Sequence, residues 1–329
     1  MSLEVVKPGL LSTFQDLGRI GSQAIGMPVC GAMDPLSHGI ANLIAGNTAE
    51  EATLEITLMG PSLRFGRDSL IALAGADLSP TLQPAGTDAA TPIPMLQPVH
   101  VPAGALLQFG KRRSGLRSYL ALAGGFGLPA AMGSRSTYLR GALGGFQGRA
   151  LRKGDVIALP AFTPGAPTVV TPTASALLHG LLERGAAGAT VRIVEGPEWP
   201  QFTDASHRTL LSEDYRIGSQ SDRMGYRLEG PVLQRTAPRD MLSEAVAFGT
   251  MQVPPDGQPI VLMADRQTSG GYPRIAQVIG VDLPRLAQRR PGDPVRFAET
   301  SLDDAQTRYL ERERALQRIQ RRVTERLHG

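Results

Sequence analysis

The stretch ADRQTSGGYPRIAQVIGVDLP, residues 264–284, concentrates groups that can do chemistry. An acid, an amide, two hydroxyls, two glycines and a tyrosine follow one another before the sequence turns apolar and β-branched. Asp265 stands at the end of an apolar run, where a carboxylate can act as a general acid or base or orient a substrate. Gly270–Gly271 lets a substrate approach the backbone, whose N–H groups can hold an oxyanion. Gln267, Thr268 and Tyr272 flank that approach. A polar hairpin turn uses the same residue types, and spacing alone does not separate the two readings.

Two further runs carry candidate groups. FQDLGRIGSQAIGMPVCGAMDPLSHG (14–39) brings Asp16, Arg19, Asp34 and His38 into one glycine-rich loop. Loops of this length in packed domains commonly bind something; a series of β-turns with Asp34 as a helix cap is the alternative. His38 stands out among the histidines because it follows the acid-bearing GAMDPLSHG. SYLALAGGFGLPAAMGSRSTYLRGALGG (118–145) sets glycine amides beside Arg135, a combination that can bind an anion. A flexible hairpin is the alternative there.

Other chemistries lack their patterns. The glycines from Gly104 to Gly110–Lys111 have the wrong spacing for a P-loop, and Arg112 follows where Ser or Thr is needed. GGFG (124–127) lacks the third glycine of a dinucleotide fingerprint. The histidines 38, 100, 179, 207 and 328 show no metal-ligand spacing, so no metal is expected. Cys30 is the only cysteine, which rules out an internal disulfide and a cysteine-built zinc cluster. The net charge is +4, and no basic run interleaves with aromatics away from the C-terminus, so nucleic acid is not an expected partner. No apolar run approaches the roughly 18 residues of a spanning helix, and no membrane contact is expected. The N-terminus lacks an apolar stretch of signal-peptide length, which fits a cytoplasmic setting.

These groups need rigid elements beneath them. The 329 residues suggest about two domains. With 38 glycines and 26 prolines and no collagen period, the chain is expected to turn often between short strands. Strand-like runs lie at 69–78, 105–110, 116–126, 155–160, 190–197, 226–233, 244–253, 258–266 and 274–284. Such spacing predicts sandwiches or barrels rather than βαβ units. Helices are few. DPLSHGIANLIAGN (34–47) has Asp34 to cap it, Pro35 in its first turn and Gly46–Asn47 to stop it. From Ser301 onward a capping box with Asp304 opens an amphipathic helix. Its stripe runs through Leu302, Ala305, Tyr309, Leu316, Ile319, Val323 and Leu327, with seven arginines against five acids on the tail.

A faint internal echo suggests duplication. RKGDVIAL (152–159) is matched by RRPGDPVRF (289–297), and the strand before LAGG by the strand before DRQTSGG. The expected organisation is a loop-rich start plus a first β-barrel domain over 1–165, a linker over 166–187, a second β-barrel domain over 188–300, and a basic amphipathic helix over 301–329.

Taken together, STFQDLGRIGSQAIGMPVCGAMDPLSHGIANLIAGN, LEITLMGPSLRF, LRSYLALAGGF with MGSRSTYLRGALGGFQGRALRKGD, and DRQTSGGYPRIAQVIGVDLPRLAQRRPGD resemble the biotin-dependent carboxyltransferase family. The resemblance runs in order to about residue 300 and leaves out the arginine-rich tail. The form DRQTSGGYP is similar to the 5-oxoprolinase branch more than to urea carboxylases. The resemblance implies a mainly β fold of two cyclophilin-like β-barrel domains. It implies work with 5-oxoprolinase subunits A and B, an assembly that hydrolyses 5-oxo-L-proline to L-glutamate at the expense of ATP. Two alternatives come with the family: a subunit moving carboxyl from carboxybiotin to urea or another amide, and a regulatory protein that binds a subunit-B-like kinase inhibitor. Lys7, Lys111 and Lys153 lack the methionine neighbours of a biotinyl lysine, so biotin, where used, arrives on a partner.

Urea and the lactam of 5-oxoproline are both planar amides, and attack at the carbonyl or removal of an N–H proton charges the carbonyl oxygen. Amides of Gly270 and Gly271 can stabilise that charge. Asp265 or Asp16 can orient the amide or accept its proton, Gln267 can bond the amide edge, and Arg19 or Arg135 can pair with a substrate carboxylate. Thr268, Tyr272, Asp34 and His38 complete the expected binding set.

Overall fold

The computed structural model describes residues 1–161, 170, 172–183, 190–237 and 241–324. The chain divides into two compact units. The first comprises 1–19, 30–184 and 315–329; the second comprises 20–29 and 185–314. Its described helices are α1 (Pro35–Ala45), α2 (Pro172–Glu183), α3 (Asp204–Ser212), α4 (Leu283–Ala287) and α5 (Leu302–Thr324). Short strands make up most of the rest, as the turn-rich composition requires. No described helix is long and apolar enough to cross a membrane.

The first unit stacks two antiparallel sheets. One runs Val156–Ala158, Ser2–Lys7, Ser62–Phe65, Leu106–Phe109, Pro80–Gln83, Thr91–Pro92 from edge to edge. The other runs Leu11–Gln15, Thr53–Thr57, Arg117–Leu122, Ser69–Gly75, Pro98–Val101. Leu3, Val5, Leu63 and Phe65 of one sheet share a core with Phe14, Leu54, Leu120 and Leu122 of the other. The Arg117–Leu122 strand is buried at every position because its second face is covered as well. There Ile40 and Ile44 of α1 lie against Ala72, Ala74 and Ala121, small side chains that allow the helix close approach.

The start of α1 is set by its own sequence. Asp34 caps it through the Ser37 N–H at 3.0 Å and the Ser37 hydroxyl at 2.6 Å, Pro35 opens the first turn, and Gly46 closes it in the left-handed conformation. Behind the cap, the Asp34 N–H donates to the Tyr119 hydroxyl, which donates to Glu55, both at 2.8 Å.

The second unit is built on one eight-stranded sheet: Pro294–Val295, Tyr215–Ile217, Gly225–Glu229, Ile260–Leu262, Thr250–Gln252, Arg274–Val278, Val191–Glu195, Phe297–Glu299. The strands at its two edges are separated in sequence by Arg296 alone. One short peptide therefore touches both edges, and the sheet must curl into a nearly closed barrel. All its pairings are antiparallel except Val191–Glu195 with Phe297–Glu299. Val191, Ile193, Tyr226, Met251, Val261, Ile275 and Phe297 are among its buried apolar residues.

Several expectations need correction. The proposed linker 166–187 contains α2, whose Ala174 and Leu178 are buried in the first unit against α1; the rest of that segment, apart from Val170, lies outside the described residues. The run 274–284 is a strand only to Val278 and then turns into α4. The stripe expected on α5 is divided. Ile319 is 1% exposed in the first unit's core, whereas Leu302 and Tyr309 are exposed. Val323 and Leu327 lie outside the residues whose side chains are described. Residues of α5 up to Arg314 group with the second unit and those from Ala315 with the first. The capping box is half-formed: the Ser301 hydroxyl accepts the Asp304 N–H at 3.1 Å, while the Asp304 carboxylate turns to Thr300 and Arg308.

Candidate functional site

In the second unit, Gly225–Glu229 and Ile260–Leu262 pair with Gly225 opposite Leu262. The loop before the first strand and the loop after the second therefore leave the sheet side by side. Two backbone bonds continue the ladder beyond the strands: Met263 N–H to the Met224 carbonyl at 2.9 Å, and Asp265 N–H to the Arg223 carbonyl at 2.8 Å. The side chains of the same two residues then close on each other. Arg223 Nε and Nη2 donate to the two carboxylate oxygens of Asp265 at 3.0 and 2.9 Å, and each side chain is 5% exposed. Asp222 shapes the turn into the strand by accepting the Met224 and Gly225 N–H groups.

Past this pair the loop runs outward. Arg266 lies over the Phe248 ring at 5.8 Å. Gln267 and Thr268 are half-buried, and neither side chain has a hydrogen bond to a described residue. The Thr268 carbonyl is fixed by the Val246 N–H at 3.2 Å. Ser269–Gly270 then pairs with Glu244–Ala245 as a two-stranded ladder. Gly270–Gly271 is thus not a left-handed turn, and neither glycine has a positive φ. Gly270 is needed for space, because a Cβ there would meet the Gln252 side-chain amide at 2.6 Å. The two places matched by the sequence echo differ: Gly124 and Gly125 of LAGG are both left-handed. Tyr272 is 47% exposed and, with Arg235, Pro254, Pro255 and Pro273, lines a cleft of about 1110 Å³.

In the first unit, Asp16, Arg19 and Arg135 form a knot. The Asp16 carboxylate accepts from the Ser134 and Ser136 hydroxyls at 2.7 and 2.5 Å and from the Gly18 and Arg135 N–H groups at 2.8 and 2.5 Å. Burial pushes its carboxyl up, but the bonds from Ser136, Ser134, Arg135 and Gly18 together outweigh that and hold it below its ordinary value. With its acceptor capacity spent on the 131–137 loop, Asp16 ties that loop to the end of the Leu11–Gln15 strand.

Arg19 is 0% exposed. Its Nε donates to the Ala131 carbonyl at 3.1 Å and its Nη2 to the Ser136 carbonyl. Gly144, at φ +70°, lies so close that a Cβ would stand 2.2 Å from that Nη2. The expected pairing of Arg19 with a substrate carboxylate is therefore closed off by burial. Arg135 remains half-buried, with Nε on the Leu128 carbonyl at 2.9 Å.

Three glycine amides of the 118–145 run, a possible anion cradle from the sequence, are taken up internally. Gly124 N–H bonds Asn47, Gly125 N–H the Leu122 carbonyl and Gly145 N–H the Arg135 carbonyl. The Glu51 carboxylate also stands where a Cβ on Gly125 would project, which repels a phosphate there.

Asp34 is occupied as the cap of α1. His38, on the same helix, is fully buried. Its Nε2 meets the Ala49 carbonyl at 2.9 Å and its Nδ1 the Thr53 hydroxyl at 2.8 Å. A carbonyl can only accept, so Nε2 carries the proton and Nδ1 accepts from Thr53. Burial pushes the imidazole pKa below its ordinary value, against the Ala49 bond and the charges of Asp16, Glu55 and Glu50.

The structure therefore places Asp265, Gln267, Thr268, Gly270, Gly271 and Tyr272 in one unit and Asp16, Arg19, Asp34, His38 and Arg135 in the other. Sequence reasoning passed over Arg223, Ser134 and Ser136. The signal for Arg223 was available in SDRMG (221–225), an Asx-turn pattern entering a strand with an arginine inside it.

Comparison with known proteins gives a consistent picture. A family model described as carboxyltransferase domain, subdomain A and B, matches residues 25–299. The chain is 39% identical over 315 residues to the 5-oxoprolinase C subunit of Escherichia coli (strain K12), covering 94% of this chain and 96% of that protein. It is 37% identical over 319 residues to the 5-oxoprolinase C subunit of Haemophilus influenzae, covering 95% and 96%. Among solved structures, the urea amidolyase of K. lactis matches with a TM-score of 0.85 at 28% identity, over 97% of this chain and 20% of that one.

Proposed function

From the premise that this chain belongs to the carboxyltransferase-domain family, we propose that it is the C subunit of a 5-oxoprolinase, working in a multisubunit assembly with subunits A and B. The observation that carries the reading is similarity along almost the full length of both chains, at 39% identity, to a protein of that name. The urea amidolyase, by contrast, is matched over a fifth of its length.

The reaction we assign to the assembly is hydrolysis of 5-oxo-L-proline to L-glutamate, coupled to ATP in the cytoplasm. A five-membered lactam is a cis amide, with N–H and C=O on one edge. A primary carboxamide offers the complementary donor and acceptor on one edge, so Gln267 suits such a substrate, and Thr268 adds a second hydroxyl contact. Tyr272, further along the same loop, offers an apolar face to the cleft it lines. ATP provides the driving force when bound. The paired amides of Gly124, Gly125 and Gly145 and the Glu51 carboxylate beside Gly125 do not fit a phosphate cradle, so we place ATP on the partner subunits and route no step through this chain. Biotin belongs only to the alternative in which a partner's carboxybiotin donates to an amide.

Co-expression with subunits A and B, followed by a glutamate-release assay, tests this. Glutamate is expected only from the full assembly and only with ATP; this chain alone is expected to be inert. Carboxylation of urea by a co-purifying biotinylated partner, without glutamate release, would transfer the chain to the carboxyltransferase reading. Tight binding without turnover would leave a regulatory protein.

A further inference from the structure

We propose that Arg223 is a positioning residue for the substrate, acting through Asp265 to lock the 263–272 loop so that Gln267 and Thr268 are presented in fixed register. The proposal rests on the 5-oxoprolinase reading for its substrate and on geometry for its latch. Both hydrogen bonds of the pair are within 3.0 Å, and both side chains are almost wholly withdrawn from water.

A carboxylate taken out of water is stable only when paired, so Asp265 needs Arg223. Apolar residues of similar volume serve stability as well as a buried ion pair does, which directs attention to what this pair specifies. It specifies a geometry. The planar guanidinium sets the carboxylate in one orientation, above two backbone rungs that extend the Gly225–Leu262 ladder. Past the Arg266 N–H on the Met263 carbonyl, the next two fixed points along the loop are the Thr268 carbonyl on Val246 and the short Ser269–Gly270 ladder. Between the latch and those points stand Gln267 and Thr268, whose backbone is held while their side chains keep their donors and acceptors for something outside the described residues. Asp265, with both oxygens engaged by Arg223, sets the loop rather than meeting the lactam.

The test uses the full complex with its A and B partners, carrying Arg223→Met, Asp265→Asn, the double variant, Arg223→Lys or Gln267→Ala. It reads kcat and KM for 5-oxoproline and, separately, hydrogen exchange of the loop amides. Either single change at the pair is expected to lower kcat/KM by about 10- to 100-fold, the usual scale for a misplaced binding group. The double variant is expected to be no worse than the singles. Arg223→Lys, which keeps the charge and loses the fork, is expected to fall between. Exchange in the loop should rise in both single variants, while Gln267→Ala should lower kcat/KM and leave exchange unchanged. Asp265→Asn without turnover beside Arg223→Met at wild-type kcat/KM would overturn the proposal, as would unchanged loop exchange in both. Should the wild-type complex release no glutamate, the functional reading fails, and exchange alone decides the latch.

Discussion

At the scale of single residues, a reactive side chain in the sequence became a committed one in the structure wherever a partner lay close in space and far in sequence. Asp16 is engaged by Ser134 and Ser136, and Asp265 by Arg223. No spacing rule reveals such partners, because the pairs are more than 40 positions apart. Asp34 was legible, since its capping role is local. His38 gives a prediction at this scale. Its folded-state pKa lies below the ordinary value of 6.5, so the unfolded chain binds the proton more readily. Stability from this group is therefore full above that value and is lost as pH falls from about 6.5 toward the depressed folded pKa. The groups around it, Asp16, Glu55 and Glu50, oppose the shift and do not reverse it. The melting temperature measured at successive pH values should decline below about pH 6.5. In His38→Gln, which keeps a neutral donor and acceptor, that part of the slope should disappear; an unchanged slope would show that another group carries it. Asp16 adds its own loss only at lower pH, below its ordinary value of 3.8, because its folded pKa is also depressed.

Elements were legible in proportion to their period and punctuation. Helix α1 carries a cap, a first-turn proline and a closing glycine, and it formed within a residue of its expected ends. Strands such as Ser69–Gly75 and Arg117–Leu122 were visible as apolar runs. Helix α2 was not, because PTASALL within a Pro/Thr/Ala-rich run looks like a linker until Ala174 and Leu178 find a partner in α1. Ser269–Gly270 was not legible as a strand, since two residues have no period and only Glu244–Ala245 makes them one. Asp34→Ala separates capping from binding at this scale. Loss of the cap should cost about 1 kcal/mol, read as a melting temperature lower by roughly 2–4 °C. KM for 5-oxoproline in the complex should stay at the wild-type value. A raised KM with unchanged stability would instead make Asp34 a substrate ligand.

For the whole molecule, two β units follow from composition and turn spacing, but their membership does not. Residues 20–29 group with the second unit although they interrupt the first in sequence. The eight-stranded sheet closes through Pro294–Val295 and Phe297–Glu299, strands too short to show an alternation. The tail shows the same limit. The family match ends at residue 299, and α5 follows it with an arginine-rich sequence whose apolar stripe does not tell which unit it will meet. Yet Ile319 is buried with Ile40, Ile44, Ala174 and Leu178, and Leu316 packs against the same cluster. The tail is thus part of the first unit's core, and its two halves should respond differently to truncation of a side chain. Ile319→Ala should cost about 2–4 kcal/mol through the lost burial and the cavity left behind. Tyr309→Ala, at a position 47% exposed, should stay within about 0.5 kcal/mol. Denaturant midpoints measured on the full chain check both. Removal of 301–329 should cost more than Ile319→Ala, since Leu316 leaves with it. Equal midpoints for the truncated and full chains would place α5 outside the core.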